Sequence, residues 1–169
     1  LGTLVTNGVL APIELGDRED EFHQVGLDAF TYEGNLYGLP YALENIALFR
    51  NTDLAPDQPS DFEDLAQTGL DLVEAGDAEL PFALQVGPDG DPYHFYPLFT
   101  SFGSSVFEIN EDGTYNPDEL LVDSDEGLAF AEALADLSDR GVLNADLTFD
   151  LAKEAFADAD AALLVGAMP

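Results

Sequence analysis

The chain has 169 residues, enough for one ordinary domain with a real hydrophobic core. Apolar residues make up 46% of it, too many for a disordered acidic tail, and no apolar run reaches the roughly 18 residues that a membrane span needs. Acidic residues number 35 against four basic ones (Arg18, Arg50, Arg140 and Lys153), and the formal net charge of −31 repels nucleic acid and anionic lipid.

Leu1 to Ile13 reads as the end of a helix, a turn at Asn7-Gly8 and an extended exit. Residues 14–24 are polar and acidic, which predicts a surface loop or short helix. Glu33-Gly34-Asn35 between Thr31-Tyr32 and Leu36-Tyr37 predicts a hairpin turn, and Pro40 then ends the extended run. Ile46 to Phe49 is an apolar strand. After Pro56 and Pro59, the Ser60-Asp-Phe-Glu63 stretch is a capping-box signature. The helix it starts runs to Gly76, with Phe62, Leu65, Leu72 and Val73 spaced for one buried side.

Phe82 to Val86 predicts a short strand, Gly87-Pro-Asp-Gly90 a loop, and Pro92 the first turn of a helix over Tyr93 to Phe102. That helix is aromatic on most sides, so it is either buried or lines a cleft. Val106 to Ile109 and Thr114-Tyr115, joined through Asp112-Gly113, read as a hairpin with a two-residue turn. Asp123 or Ser124 caps a helix ending at Gly141, with Leu128, Ala131, Leu134 and Leu137 at helical spacing. Thr148 or Asp150 caps a last helix carrying Leu151, Ala155 and Phe156, and Ala161 to Val165 is a closing strand. Strands alternating with helices imply an α/β fold.

The acids are spread over the whole length, and lysine is nearly absent. Such a composition suits high ionic strength, where salt screens the self-repulsion. It predicts a halophilic protein whose fold loosens when salt is removed. There is no cysteine, which excludes disulfides, thiol catalysis and Cys-ligated zinc but leaves the redox compartment open. No signal peptide is visible and the chain begins at Leu1, which suggests a mature or trimmed segment.

The stretch from Asp28 to Leu65, DAFTYEGNLYGLPYALENIALFRNTDLAPDQPSDFEDL, resembles the middle of the extracellular solute-binding proteins of ABC transporters, of the maltose/maltodextrin-binding kind. DPYHFYPLFTSFG (Asp91 to Gly103) resembles that family's aromatic cleft helix. EDGTYNPDELLVDSDEGLAFAEALADL stands where the family has a hairpin before its long helix. GVLNADLTFDLAKEAFADADAALLVG (Gly141 to Gly166) resembles its helix-plus-strand segment, which in relatives runs on into a Gly-Pro-Trp motif. Here the end reads Gly166-Ala-Met-Pro169, and the aromatic platform would fall near Pro169.

The resemblance implies a partial periplasmic-binding-protein-like (type II) lobe, with a mixed β-sheet flanked by helices. It implies an internal fragment of a protein about twice as long: residues 1–43 from lobe one, 44–47 a hinge crossing, and 48–169 the first half of lobe two. It further implies non-catalytic binding of a maltodextrin-like oligosaccharide, without a cofactor, outside the cell or in the periplasm. The implied partners are the sugar and the ABC permease subunits, with no nucleic acid and no membrane insertion of this segment.

Within this resemblance Glu44, in ALENIAL, takes the place of a hinge carboxylate that accepts sugar hydroxyls, for which an ionised acceptor is well suited. Asp91 and Tyr93 match the family's acid-x-aromatic pair on the second lobe. Tyr93 or Tyr96 can stack on a pyranose face, and Tyr41 before the hinge is a further cleft candidate. His94 reads as a packed or surface histidine. Two other readings compete. Glu108, Asn110, Asp112 and Glu119 have the spacing of oxygen ligands in a calcium loop, although its first ligand is Glu and Pro117 interrupts it; they would make a calcium-stabilised surface module. The abundant carboxylates also allow an acidic glycoside hydrolase fragment, but His23 and His94 have no nucleophile motif beside them.

Overall fold

The computed structural model describes residues 1–110 and 113–168. They divide into two compact units, Leu1–Asn45 and one beginning at Ile46 and running to Met168.

In the first unit a short helix α1 (Gly2–Thr6) ends at Asn7, and Gly8 turns the chain with φ +68. The extended exit is pinned where the Ile13 N–H donates to the Leu36 carbonyl at 2.8 Å. The acidic stretch forms a 3-10 turn over Gly16–Glu21. A second helix, α2 (Gln24–Ala29), follows it, with no side-chain cap at His23. Its Gly26 lies under Pro40, whose Cγ would stand 2.9 Å from a Cβ placed there, so a glycine lets these segments meet. The hairpin pairs β1 (Thr31–Tyr32) antiparallel with β2 (Asn35–Leu36). Its turn is two residues, Glu33 and Gly34, both at positive φ, and Asn35 belongs to the strand rather than to the turn. That is the backbone a right-twisted two-residue hairpin demands.

The second unit carries the core. Strand β3 (Asn45–Arg50) pairs with β6 (Leu163–Met168), and the Asn51 N–H donates to the Ala162 carbonyl at 2.8 Å. On the other edge of β6, Ala83 exchanges both of its backbone bonds with Leu163 and Val165. The Phe82–Val86 stretch is thus extended and strand-like, but it joins β6 only through two parallel bridges, Leu80↔Ala161 and Ala83↔Leu164. Pro81 supplies no N–H, which shortens any ladder there. Phe82, Leu84, Leu163 and Val142 are the largest fully buried side chains.

Helix α3 (Phe62–Ala75) covers this centre with Leu65, Ala66 and Gly69. Its cap falls one residue beyond the predicted Ser60. Asp61 accepts from the Asp64 N–H at 2.9 Å, and Asp64 in return accepts from the Ser60 N–H at 2.8 Å. Asp61 is the residue in the extended conformation that a cap requires, with φ −155. Gly76 closes the helix at φ +80.

Helix α4 (Pro92–Ser101) is followed by the hairpin β4 (Phe107–Ile109) and β5 (Tyr115–Leu120). The connection is longer than two residues, since the Asn110 N–H donates to the Thr114 carbonyl. Of the predicted turn pair, Asp112 lies outside the described residues.

Helix α5 (Asp125–Asp139) is capped by the Ser124 hydroxyl. Its packed side runs through Gly127, Phe130, Leu134 and Leu137, while Leu128 is 55% exposed. The predicted stripe is therefore turned by a residue at its N-terminal end. Gly127 sits against the Val122 carbonyl, where a Cβ would overlap, and Phe130 is drawn inward by two phenylalanines described below. Helix α6 (Phe149–Ala157) is capped by Thr148 and buries Ala152 and Ala155, leaving the predicted Leu151 exposed. The result is a mixed helix-and-strand architecture; among the described residues β6 has β3 on one edge and the stretch through Ala83 on the other, with β1–β2 and β4–β5 as separate pairs.

Candidate functional site

Helix α4 has two unlike sides. One is anchored: Phe95 and Leu98 pack on the core. Phe99 and Phe102 each meet the Phe130 ring of α5 edge-on, at 5.4 and 5.5 Å. The other is open. Tyr93 is 53% exposed and Tyr96 37%. Pro97, inside the helix, has no N–H to offer the Tyr93 carbonyl four residues earlier.

The start of α4 is a knot of polar bonds. Asp91 is the cap, and Pro92 supplies the fixed φ of the first helical position. Asp91 Oδ1 accepts the His94 backbone N–H at 3.0 Å and faces His94 Nδ1 at 3.0 Å. Asp91 Oδ2 accepts from the Gln85 side-chain amide. An ionised carboxylate can only accept, so the imidazole proton is placed on Nδ1. His94 Nε2 is buried with no hydrogen-bond partner among the described residues. The predicted candidate Asp91 accepts from its own helix and from Gln85, and Tyr93 and Tyr96 are open.

A side-chain cluster that the sequence reading did not single out adjoins this knot. The Tyr93 ring meets His94 edge-on at 5.2 Å, and on its other side His94 meets the Phe149 ring at 6.3 Å. Phe149 is 45% exposed, and Lys153 Nζ stands 4.8 Å from its ring centroid. Phe149, together with Gln85, Pro88, Asp91, Leu147 and Thr148, borders a concavity of about 190 Å³. Two backbone donors, Val86 and Gly87, converge on the Leu147 carbonyl at 3.0 and 3.1 Å and hold its walls together. A sequence signal for Phe149 does exist: it is an aromatic at the first position of a capped helix, off the Ala152/Ala155 stripe that is buried.

The other candidates belong to the first unit. Tyr41 is fully exposed and lines a concavity of about 440 Å³ with Phe22, His23, Pro40 and Leu43. Glu44 is exposed, immediately before β3. Of the calcium-loop residues, Asp112 lies outside the described residues. Glu108 accepts from the Asn116 amide at 2.8 Å, and Asn110 donates to the Thr114 hydroxyl at 3.0 Å. Glu119 lies on β5. Among the described residues no three His, Asp or Glu side chains gather as a metal site.

These features meet a family that the sequence itself identifies. The chain belongs to the bacterial extracellular solute-binding proteins, whose family pattern it matches over residues 1–167. A galactooligosaccharide-binding protein of Bacillus subtilis (strain 168) is 28% identical over 145 residues, 79% of this chain and 31% of that protein. A maltotriose-binding protein of Pyrococcus abyssi is 23% identical over 133 residues, 77% of this chain and 28% of that protein. A maltooligosaccharide ABC transporter solute-binding lipoprotein of Streptococcus pneumoniae is 27% identical over 115 residues, 68% and 25% respectively. The match spans under a third of the length of each of these relatives. Among the described residues no helix is long and apolar enough to cross a membrane.

Proposed function

We propose that this chain contributes part of the binding cleft of an oligosaccharide-binding protein that delivers a maltodextrin-like sugar to an ABC permease, without chemistry of its own. It works outside the cell or in the periplasm, as its family description and the lipoprotein among its relatives suggest. Residues 1–43 belong to lobe one of a type II binding protein, 44–47 cross the hinge, and 48–169 begin lobe two. In support, the chain divides into compact units at Asn45 and Ile46.

The observation that carries the reading is the two-sided α4, rigidly anchored by Phe99 and Phe102 and presenting Tyr93 and Tyr96 outward. A sugar ring has one CH-rich face, which packs on an aromatic plane, and hydroxyls that bond acceptors. Tyr93 and Tyr96 supply the planes, Glu44 the exposed carboxylate, and Tyr41 a further ring. Asp91 fixes the helix that carries Tyr93, and its carboxylate has a lone pair left for a sugar hydroxyl.

Calorimetry with maltotriose in molar salt tests this. The Glu44→Ala, Tyr93→Ala double variant loses roughly tenfold or more in affinity, from one stacking contact and one charged hydrogen bond. Unchanged affinity removes both residues from the site.

A further inference from the structure

The His94 ring has a role that capping does not explain. Its side chain is only 7% exposed, and it lies between two aromatic rings that are each about half open to solvent. We propose that His94 is a positioning residue of the oligosaccharide site: a wedge, locked by Asp91, that fixes Tyr93 and Phe149 as two walls of one aromatic platform for an uncharged pyranose. The proposal deepens the binding reading above and rests on it.

The geometry supports each step. A histidine ring can spin about its Cβ–Cγ bond unless something stops it. Here Nδ1 is bonded to Asp91 Oδ1 at 3.0 Å, and that carboxylate is itself held by the His94 backbone N–H and by Gln85. The imidazole plane is therefore set by three groups in one network, the Asp91 carboxylate, the His94 backbone N–H and the Gln85 amide. Tyr93 stands edge-on to that plane, with 82° between the rings. Phe149 meets it at 44°, from a different element, the start of α6. Two exposed rings from separate helices thus take their pitch from one buried ring.

The unpartnered Nε2 fits a positioning role better than a purely stabilising one, because a buried ring nitrogen without a hydrogen-bond partner is a cost that a phenyl ring would avoid. The imidazole supplies both of the wedge's requirements, a flat ring and an Nδ1–H to anchor it. Charge selects the occupant's class. In a chain of net charge −31 an anionic ligand is repelled, whereas neutral sugar rings are not.

The test compares three variants with maltotriose, all well below their melting temperatures. His94→Gln keeps an amide donor for Asp91 but removes the ring. His94→Phe keeps a ring but removes the anchor. The wedge predicts that His94→Gln loses about fivefold to tenfold in affinity, as for one lost aromatic contact. His94→Phe, which keeps the ring and loses the anchor, falls between the wild type and His94→Gln in affinity, even if its melting temperature falls below that of His94→Gln. Phe149→Ala loses affinity to the same degree as His94→Gln. Loss of affinity that follows melting temperature rather than the ring would overturn the proposal. A second readout needs no variant. Maltotriose shifts the ring-proton resonances of both Tyr93 and Phe149 in the wild type, and an unmoved Phe149 also overturns it. If wild-type protein binds maltotriose with Phe149 unmoved, only this inference fails; if it binds neither maltotriose nor a galactooligosaccharide, the binding reading fails with it.

Discussion

The two units treat their apolar residues in opposite ways. Among the described residues the first unit buries one hydrophobic side chain, Leu27, and leaves Leu4, Val9, Val25, Leu39 and Leu43 exposed. The second buries a contiguous set around Phe82, Leu84 and Leu163, with a second cluster around Ala83, Leu147 and Ala152. Burial of apolar area is the main favourable term in folding, at about 25 cal/mol per Å². The second unit therefore holds most of the stability, and it also carries the open side of α4. The first unit, which holds Tyr41 and Glu44, is fastened by hydrogen bonds and a few side chains, such as Pro40 on Gly26.

The sharpest way to break this comparison is to delete a core side chain on each side. Phe82→Ala, at a fully buried site, costs about 3–5 kcal/mol and lowers the main denaturant midpoint. Leu27→Ala should leave that midpoint within error and raise amide exchange only over residues 1–45. If both variants shift the midpoint equally, the two units fold as one and the contrast is lost. Overpacking the same centre has a smaller effect. A methyl at Gly69 overlaps the Pro81 carbonyl, so Gly69→Ala costs about 1–3 kcal/mol despite alanine's better helix propensity.

Salt separates the units without mutation. The repulsion behind a net charge of −31 opposes both, but the unit with less buried area has less to set against it. Moving from molar to low salt should raise exchange first over residues 1–45 and only then lower the main midpoint. Equal thermal stability at both salt concentrations would sink the salt-adapted reading. One ion pair cuts across this trend. Arg140 joins the end of α5 to the start of α3 through Glu63, with Asp136 as a second partner, and the hydrogen bond to Glu63 above all holds its guanidinium well above the ordinary value.

The parts of the fold that were legible in the sequence are those fixed by local chemistry. Asp91-Pro92 names its own helix start, because a short acid before a proline both caps and presets the backbone. Glu33-Gly34 names its own turn. What was not legible depends on partners distant in sequence. Nothing within α5 says that Phe130 faces inward; Phe99 and Phe102 decide it, so the stripe drawn through Leu128 was turned away from the packed side. Helix α2 has no capping side chain and a glycine in its middle, and it is held by Pro40 and Leu43 from beyond the hairpin. The site divides in the same manner. Tyr93 and Tyr96 stand out from the sequence of one helix, whereas Phe149 joins them only through the buried ring of His94.

The smallest effect tests how far local chemistry reaches. The bonds from the Asp64 N–H to Asp61 and from the Ser60 N–H to Asp64 close the start of α3 outside the core, on an exposed turn. Asp61→Ala removes one acceptor and leaves the Leu65/Ala66 face packed, so it costs about 1 kcal/mol. Ser60→Ala should cost less, since the Ser60 backbone N–H makes the short bond to Asp64 at 2.8 Å and its hydroxyl reaches Asp61 only at 3.4 Å. Melting curves of the two variants decide which residue is the cap. A larger loss for Ser60→Ala would return the helix start to the residue that the sequence pattern alone suggests. The predicted order places it where backbone conformation, rather than motif spacing, puts it.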